Sequence, residues 1–280
     1  MTEYFAGIDI GSTMTKAVIL NEGIVASVIG PTGAEQRRLA NKVMEEALHL
    51  AGLSFNAITY IVSTGYGRIN VPFADRQITE ITCHARGINY LFPEARTVID
   101  IGGQDSKAIS IDSHGRPQHF IMNDKCAAGS GRFIEVIADT LGIPLDEVGD
   151  ISLKSTHPAT ISNFCTIWAQ QEVASSLAQG IPVPDLLAGV HRSLADRISR
   201  MAHQLRLEKP VVLTGGGSKN KGLIAALKEF LDDDVLVPEN PLITGALGAA
   251  LLGRDFVEKA RKNNIPLETR LRILEAVHIL

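Results

Sequence analysis

Apolar runs that end in an aspartate and a glycine turn occur twice along the chain. The first run, Tyr4–Ile10, leads through a glycine and two hydroxyl residues into a second β-branched run at 15–20. Two apolar runs joined by a glycine turn predict a β-hairpin. The same arrangement returns at Thr97–Ile101 and Ser106–Ile111. The two hairpins therefore indicate an internal duplication.

Segments with helical periodicity lie between the two hairpins and after the second one. Residues 36–51 place apolar side chains three or four positions apart, which is the spacing of one helical face. A third strand-turn-helix is predicted at 211–228, and a last helix rich in small residues begins at 245. The remaining predictions are a strand at 57–64 and helices at 79–91, 131–141, 166–179 and 184–207. Alternating strands and helices with a duplication predict an α/β fold whose two similar lobes face a cleft.

Composition excludes several classes of partner. Of the 280 residues 45% are hydrophobic and 21% charged, and the formal net charge is -4. This balance is typical of a globular protein and argues against nucleic acid or an anionic membrane as partner. The N-terminal residues show no signal peptide and no apolar stretch is long enough for a membrane helix, so a cytoplasmic location is expected.

Three glycine turns together suggest a nucleotide site. One such turn more often merely reverses the chain, because glycine adopts unusual backbone angles easily. The first turn, however, adds the hydroxyls of Ser12 and Thr13 and the ammonium of Lys16, all suited to phosphates. The third turn opens a helix whose N-terminus favours an anion. A P-loop and a Rossmann fingerprint are both missing from the sequence.

The three cysteines are buried hydrophobic residues, reactive thiols or metal ligands. Cys126 and Cys165 each precede a predicted helix, whose N-terminus stabilises a thiolate, but no CxxC motif occurs. From this spacing alone, buried side chains are the more common outcome. Cys83 lies inside a predicted helix and is expected to pack there. Trp168, one turn after Cys165, either shields a bound group or fills core, and we expect the second.

The glycine turns resemble the nucleotide motifs of the superfamily of actin, heat-shock chaperones, hexokinases and acetate kinase. Residues 7–16 resemble its first phosphate motif, 100–105 its second and 211–217 its adenosine motif. The resemblance implies Mg-ATP bound between two lobes. It implies a role through the metal for Asp9 and Asp100, and a role in positioning the attacking water for Gln104 or Asp105. The residues implied to bind the nucleotide are Gly11, Ser12, Thr13, Lys16, Asp100, Gly102, Gly103, Gly215, Gly216 and Gly217.

The residues around both cysteines carry a second, narrower resemblance. Residues 122–133 and 162–173, with 64–68 and 100–107, resemble the activators of 2-hydroxyacyl-CoA dehydratases in the BadF/BadG/BcrA/BcrD ATPase family. The resemblance implies that Cys126 and Cys165 of two copies jointly hold one oxygen-sensitive 4Fe–4S cluster. Four thiolates suffice for such a cluster, and a twofold dimer of this chain supplies four.

The implied function is ATP-dependent one-electron transfer. The electron comes from ferredoxin or flavodoxin and goes to a dehydratase, or to a related double-cluster reductase. Two alternatives stay open: a small-molecule kinase of the same fold without a cluster, and a nucleotide-dependent chaperone. The expected lobes are 1–94 and 95–250, followed by a helical extension at 251–280 that packs on a lobe, with apolar positions Leu271, Ile273, Leu274, Val277 and Leu280.

Overall fold

The computed structural model describes residues 2–270 and 272–275. Its strands are β1 (Tyr4–Ile10), β2 (Met14–Leu20), β3 (Ile24–Pro31), β4 (Ile58–Thr64), β5 (Arg76–Gln77), β6 (Thr97–Ile101), β7 (Ser106–Ile111), β8 (Pro117–Asn123), β9 (Val211–Thr214) and β10 (Val235–Leu236). Its helices are α1 (Gln36–Ala51), α2 (Glu80–Leu91), α3 (Gly131–Leu141), α4 (Val148–Ser152), α5 (Thr166–Ala178), α6 (Val183–Gln204), α7 (Lys221–Leu231) and α8 (Thr244–Lys262).

The chain divides into two compact units. Among the described residues, unit 1 comprises 2–94, 112–117 and those from 242 onward, and unit 2 comprises 95–111 and 118–241. The sequence-based lobe 95–250 differs from unit 2 at its C-terminal end. Residues 242–250 return to unit 1, because the small side chains at the start of α8 pack on strands β1 and β2.

Unit 1 is built on a five-stranded sheet in the order β3-β2-β1-β4-β5. β1 pairs antiparallel with β2 and parallel with β4. Helices α1 and α8 both pack against β1 and β2, and all but the first residue of β1 is buried. A strand covered in this way is apolar almost throughout, which is why its sequence is recognisable.

Unit 2 repeats this sheet. Its order, β8-β7-β6-β9-β10, places an antiparallel hairpin beside two parallel strands, as in unit 1. The predicted α/β fold with an internal duplication is therefore confirmed. Helices α3, α5, α6 and α7 contribute the apolar side chains that pack against this sheet, with Phe133, Val190 and Leu223 fully buried among them.

Glycines allow α8 to lie very close to β1 and α2 in unit 1. A Cβ atom on Gly7 would overlap the Ala246 carbonyl, and one on Gly248 would overlap the carbonyl of Cys83. Cys83 is fully buried in α2, and this burial raises the pKa of its thiol to about 12. The prediction of a packed helical cysteine is confirmed.

The C-terminal segment differs from the predicted helical extension. Helix α8 ends at Lys262, Asn264 adopts a φ of 50°, and Pro266 lacks an N–H, so the helix cannot continue. Residues 265–270 and 272–275 form neither helix nor strand, and the predicted apolar positions Leu271, Val277 and Leu280 lie outside the described residues. The Arg270 N–H donates to Asp75 Oδ1 (3.2 Å) and the Glu275 N–H to Asn41 Oδ1 (2.9 Å), which ties this segment to unit 1.

None of the helices described in residues 2–262 is long and apolar enough to cross a membrane.

Candidate functional site

Hairpin 1, formed by β1, residues 11–13 and β2, places a buried aspartate beside a lysine. Asp9 lies opposite Lys16 in the antiparallel register, and Lys16 Nζ donates to Asp9 Oδ2 at 3.0 Å. The Gly11 N–H donates to the Met14 carbonyl (3.1 Å) and closes the turn. Gly11 therefore shapes the turn, because its N–H is used within the hairpin. Ser12 is half-buried, and Thr13 is exposed at the tip of the turn.

Two glycines that the sequence reasoning missed enclose the Asp9 carboxylate. Gly65 follows β4 with a φ of 84°, and a Cβ atom there would overlap both Asp9 Oδ1 and the Ile10 carbonyl. A Cβ atom on Gly245 would stand 3.1 Å from Asp9 Oδ2. Side chains at these positions would fill the space around the carboxylate, so the two glycines keep it open.

Hairpin 2, formed by β6, residues 102–105 and β7, repeats the pair in unit 2. Asp100 lies opposite Lys107, whose Nζ donates to Asp100 Oδ2 (3.3 Å) and to Asp105 Oδ2 (2.7 Å). The Lys107 and Asp100 side chains are only 4% and 6% exposed, so their charges are compensated inside the protein and not by water. The Gly102 N–H closes this turn on the Asp105 carbonyl (2.9 Å).

The glycine turn after β9 begins at Gly215, which occupies the position in unit 2 that Gly65 occupies in unit 1. Thr214 pairs with Asp100 as Thr64 pairs with Asp9. Gly215 has a φ of 82°, and its Cβ atom would meet Asp100 Oδ1 at 2.6 Å and the Ile101 carbonyl. The structure thus brings the predicted residues Gly215 and Gly217 beside hairpin 2, while Gly216 is exposed.

Lys107 is the charged residue that the sequence reasoning missed. The signal was available, since Lys107 follows Asp100 by the same interval that separates Lys16 from Asp9. The same antiparallel register, with Ile10 opposite Thr15 and Ile101 opposite Ser106, then places each lysine opposite its aspartate. Of the two candidates for positioning water, Asp105 is bound to Lys107, whereas Gln104 is exposed at the tip of the turn.

Both remaining cysteines lie in loops that lead into helices of unit 2. Cys126 precedes a 3₁₀ turn (Ala127–Gly129) that continues into α3, and Cys165 directly precedes α5. The two helices pack against each other. Cys126 and Cys165 are half-buried and form no disulfide. They differ in this from Cys83, which is fully buried in the core. Asn123 Nδ2 donates to the Cys126 carbonyl (2.7 Å), and Glu172 Oε2 accepts from the Ser162 N–H (2.9 Å).

The start of α3 is hydrogen-bonded to the turn of hairpin 2. The N–H groups of Gly131 and Arg132 donate to the carbonyls of Gly102 and Gly103, both at 2.9 Å. A Cβ atom on Gly131 would stand 3.0 Å from the Gly102 carbonyl oxygen, so glycine permits this close approach. The predicted phosphate turn and the Cys126 loop are therefore joined through backbone atoms alone.

Aromatic and aliphatic side chains next to Cys165 face solvent. Phe164, Ile167 and Trp168 are 79%, 63% and 66% exposed, and the Phe164 and Trp168 rings lie 6.4 Å apart. The expectation that Trp168 fills core is wrong, because the buried face of α5 is formed by Ala169 and Val173. We refer to Phe164, Ile167 and Trp168 as the apolar patch.

The cysteines of one chain fit half of an iron–sulfur site. Within residues 2–270 and 272–275, no three His, Cys, Asp or Glu side chains are grouped so that they could hold a metal ion. Two accessible thiols that form no disulfide are nevertheless suitable ligands for iron, which needs further thiolates from elsewhere.

Comparison with known proteins agrees with the duplicated sheets and the two hairpins. The family model described as the BadF/BadG/BcrA/BcrD ATPase family matches residues 6–253. The chain belongs to this ATPase family. It is 47% identical over 258 residues to the activator of lactoyl-CoA dehydratase from Anaerotignum propionicum, with 91% of this chain and 99% of the relative covered.

Solved structures agree with the family assignment. The activator of the 2-hydroxyisocaproyl-CoA dehydratase from Clostridium difficile, solved with bound ADPNP, superimposes with a TM-score of 0.86 at 42% identity, covering 93% of this chain and 97% of that one. A ROK hexokinase from Thermus thermophilus superimposes with a TM-score of 0.51 at 15% identity, covering 91% and 99%. The second likeness shows the actin-like fold alone.

Proposed function

We infer that this protein is an ATP-hydrolysing activator that donates single electrons to a 2-hydroxyacyl-CoA dehydratase. The observation that carries the proposal is the pair of hydrogen bonds between hairpin 2 and the start of α3, because it connects a candidate phosphate turn to the helix that follows the candidate cluster ligand Cys126. The relatives named as dehydratase activators support this choice of acceptor. An aryl-CoA reductase is the other acceptor of the same chemical kind.

The nucleotide-binding part of the proposal rests on the two hairpins. Lys16 supplies positive charge for phosphate oxygens, and the exposed tips of both turns supply hydroxyl and amide groups. Asp9 and Asp100 are the proposed carboxylates for a hydrated Mg²⁺, since this ion keeps several waters and takes few protein ligands. Within unit 1, Gly65 and Gly245 keep bulk away from Asp9, and within unit 2, Gly215 keeps bulk away from Asp100.

Asp105 is the better placed of the two candidates for orienting the hydrolytic water. Its carboxylate is held by Lys107 at 2.7 Å, so its position is fixed relative to Asp100. Gln104 is exposed at the tip of the turn and is free of that constraint. Orienting a water by a fixed polar group is the usual contribution of a protein to phosphoryl transfer.

The cluster-binding part of the proposal rests on Cys126 and Cys165. Each copy contributes two thiolates, so a twofold homodimer completes the four ligands of one 4Fe–4S cluster. The chemistry that the cluster supplies when bound is the transfer of one electron, from reduced ferredoxin or flavodoxin to the metalloenzyme partner. The apolar patch beside Cys165 would exclude water from that region once a second copy covers it.

Anaerobic purification with iron, sulfide and solution-mass analysis tests the proposal. We expect a brown wild-type dimer with about four irons per two chains, and loss of iron in both Cys126→Ala and Cys165→Ala. Cys83→Ala is the matched control, because Cys83 is buried in α2 and should leave the iron content unchanged. A wild-type protein that stays colourless after reconstitution with iron and sulfide would overturn the electron-donor function.

A further inference from the structure

Helix α6 carries an arginine between the two cysteine loops. Arg197 Nη1 donates to the Asn163 carbonyl at 2.8 Å, two residues before Cys165. On the other side, the Arg197 Nε lies 3.0 Å from where a Cβ atom on Gly129 would stand, three residues after Cys126. One half-buried guanidinium therefore contacts both loops that present the half-buried thiols.

Further contacts of α6 hold the Cys165 loop. The Asn163 side-chain Nδ2 donates to the Ser193 carbonyl (3.2 Å) and to Asp196 Oδ2 (3.3 Å). Together with the bond from Arg197, these contacts attach both the side-chain amide and the backbone carbonyl of Asn163 to one face of α6. The loop position is thus set by α6, while α5 adds one bond through Glu172.

The Cys126 loop is fitted against the same arginine. Asn123 Nδ2, which binds the Cys126 carbonyl, would lie 2.6 Å from a Cβ atom on Gly129. Gly129 is buried between the Asn123 amide and the Arg197 guanidinium, so a larger residue there would displace at least one of these side chains. Asn123 and Arg197 therefore fix this loop from two sides.

We propose that Arg197 is the positioning residue that sets the spacing of the Cys126 and Cys165 loops and supplies a positive charge to the pair of thiolates. The proposal rests on the proposed function in one respect, since the charge matters to electron transfer only if a cluster is bound. The positioning role concerns the protein without a cluster as well. A fixed arginine contributes both effects, because its planar guanidinium stays charged and bonds in two directions.

The first test uses amide hydrogen exchange of the cluster-free protein. In Arg197→Met, we expect peptides covering 123–130 and 162–166 to exchange about tenfold faster than in the wild type. The Cys165 loop loses the charged hydrogen bond to the Asn163 carbonyl, and the Cys126 loop loses the guanidinium that packs at Gly129. Arg192→Met is the matched control. It removes the same charge from the same helix, but Arg192 pairs with Glu229 and stacks on Phe230.

The second test measures the midpoint potential of the reconstituted cluster. Removing a positive charge disfavours the reduced cluster. We therefore expect the midpoint potential of the cluster in Arg197→Met to lie about 60 mV below that of the wild type, which is a tenfold change in the one-electron equilibrium. Arg197→Lys keeps the charge, and its potential should lie nearer to that of the wild type, while Arg192→Met should match the wild type. A purely structural role would not give this order.

The outcomes separate this proposal from the proposed function. Unchanged exchange in both loops of Arg197→Met, beside a wild type that binds its cluster, would overturn the role of Arg197 and leave the proposed function standing. A wild type without a cluster would overturn the proposed function and with it the charge role. In that case, faster exchange confined to both loops would still establish the positioning role of Arg197.

Discussion

At the scale of single residues, we expect the largest effect from replacing Lys107, because this almost fully buried lysine compensates the charges of two carboxylates. We expect Lys107→Met to reduce ATPase activity at least about a hundredfold and to lower the free energy of unfolding by about 3 kcal/mol, since the carboxylates of Asp100 and Asp105 lose the buried ammonium that binds both. Steady-state ATPase assays and urea denaturation measure the two effects. Lys228→Met removes an exposed partner of Asp234 and should change neither. An active, stable Lys107→Met would contradict the assigned role of this lysine.

A second residue-scale prediction concerns the pH dependence of stability. His191 lies buried between Ser152 Oγ (2.9 Å) and Asn220 Nδ2 (3.0 Å), and burial lowers the pKa of its imidazole to about 4. The unfolded chain, with an ordinary histidine pKa near 6.5, therefore binds the proton more readily. We expect His191 to remove about 3 kcal/mol of unfolding free energy as the pH falls from about 6.5 to about 4.

Denaturant titrations at pH 7 and pH 5 test this dependence. His191→Gln should flatten the change in unfolding free energy between the two pH values, whatever its overall effect on stability. His203→Gln is the control on the same helix, because the exposed His203 meets water in the folded and unfolded chain alike. Parallel pH profiles for the wild type and His191→Gln would refute the assignment.

At the scale of elements, we expect the hydrogen bonds between hairpin 2 and α3 to make the Cys126 loop sensitive to nucleotide. Gly131→Ala would press a methyl group to 3.0 Å from the Gly102 carbonyl oxygen and move α3 away from the turn. We expect this variant to lose most of the change that ATP causes in the rate of Cys126 alkylation, measured in a Cys165→Ser background. Gly23→Ala is the control, because no atom lies within 4 Å of its added methyl group. Equal nucleotide effects in wild type and Gly131→Ala would disprove the coupling.

The elements also show which parts of the fold the sequence determines. Buried strands such as β1 and β6 are predictable because most of their positions are apolar and nearly all are buried, and α1 because its apolar face repeats regularly. Strand β3 was missed because most of its residues are exposed, so it lacks a continuous apolar run. The C-terminal helix was predicted from periodicity alone, whereas in the described residues hydrogen bonds to Asp75 and Asn41 take precedence over that local preference.

The residues of the candidate site also divide into those that the sequence revealed and those that it did not. Asp9 and Asp100 were recognisable because each is followed by a glycine turn, and the sequence repeats the pair. Arg197 was not recognisable, because its partners Asn163 and Gly129 are distant in sequence and meet it only when α6 packs on the cysteine loops. Contacts that depend on the packing of whole helices leave no local signature in the sequence.

At the scale of the whole molecule, the proposed cluster needs more thiolates than Cys126 and Cys165 of one chain supply, and the apolar patch is exposed. We expect a second copy of the chain to complete the ligand set and to cover the patch. Burying a large apolar side chain contributes about 2 kcal/mol, so the double variant Phe164→Ser, Trp168→Ser should raise the dimer dissociation constant at least about a hundredfold. Sedimentation equilibrium of the anaerobic protein measures this constant. The iron content should fall with it, because each separated copy keeps only Cys126 and Cys165.

The control is Phe120→Ser, which removes a side chain of similar exposure (54%) from β8, a strand outside the apolar patch. ATP affinity of the double variant should stay at the wild-type value, because neither aromatic residue belongs to hairpin 1 or hairpin 2. A double variant that remains a dimer with full iron content would mean that the second copy covers another surface. Loss of iron without loss of the dimer would instead indicate that the patch shields the thiolates from water and contributes little to association.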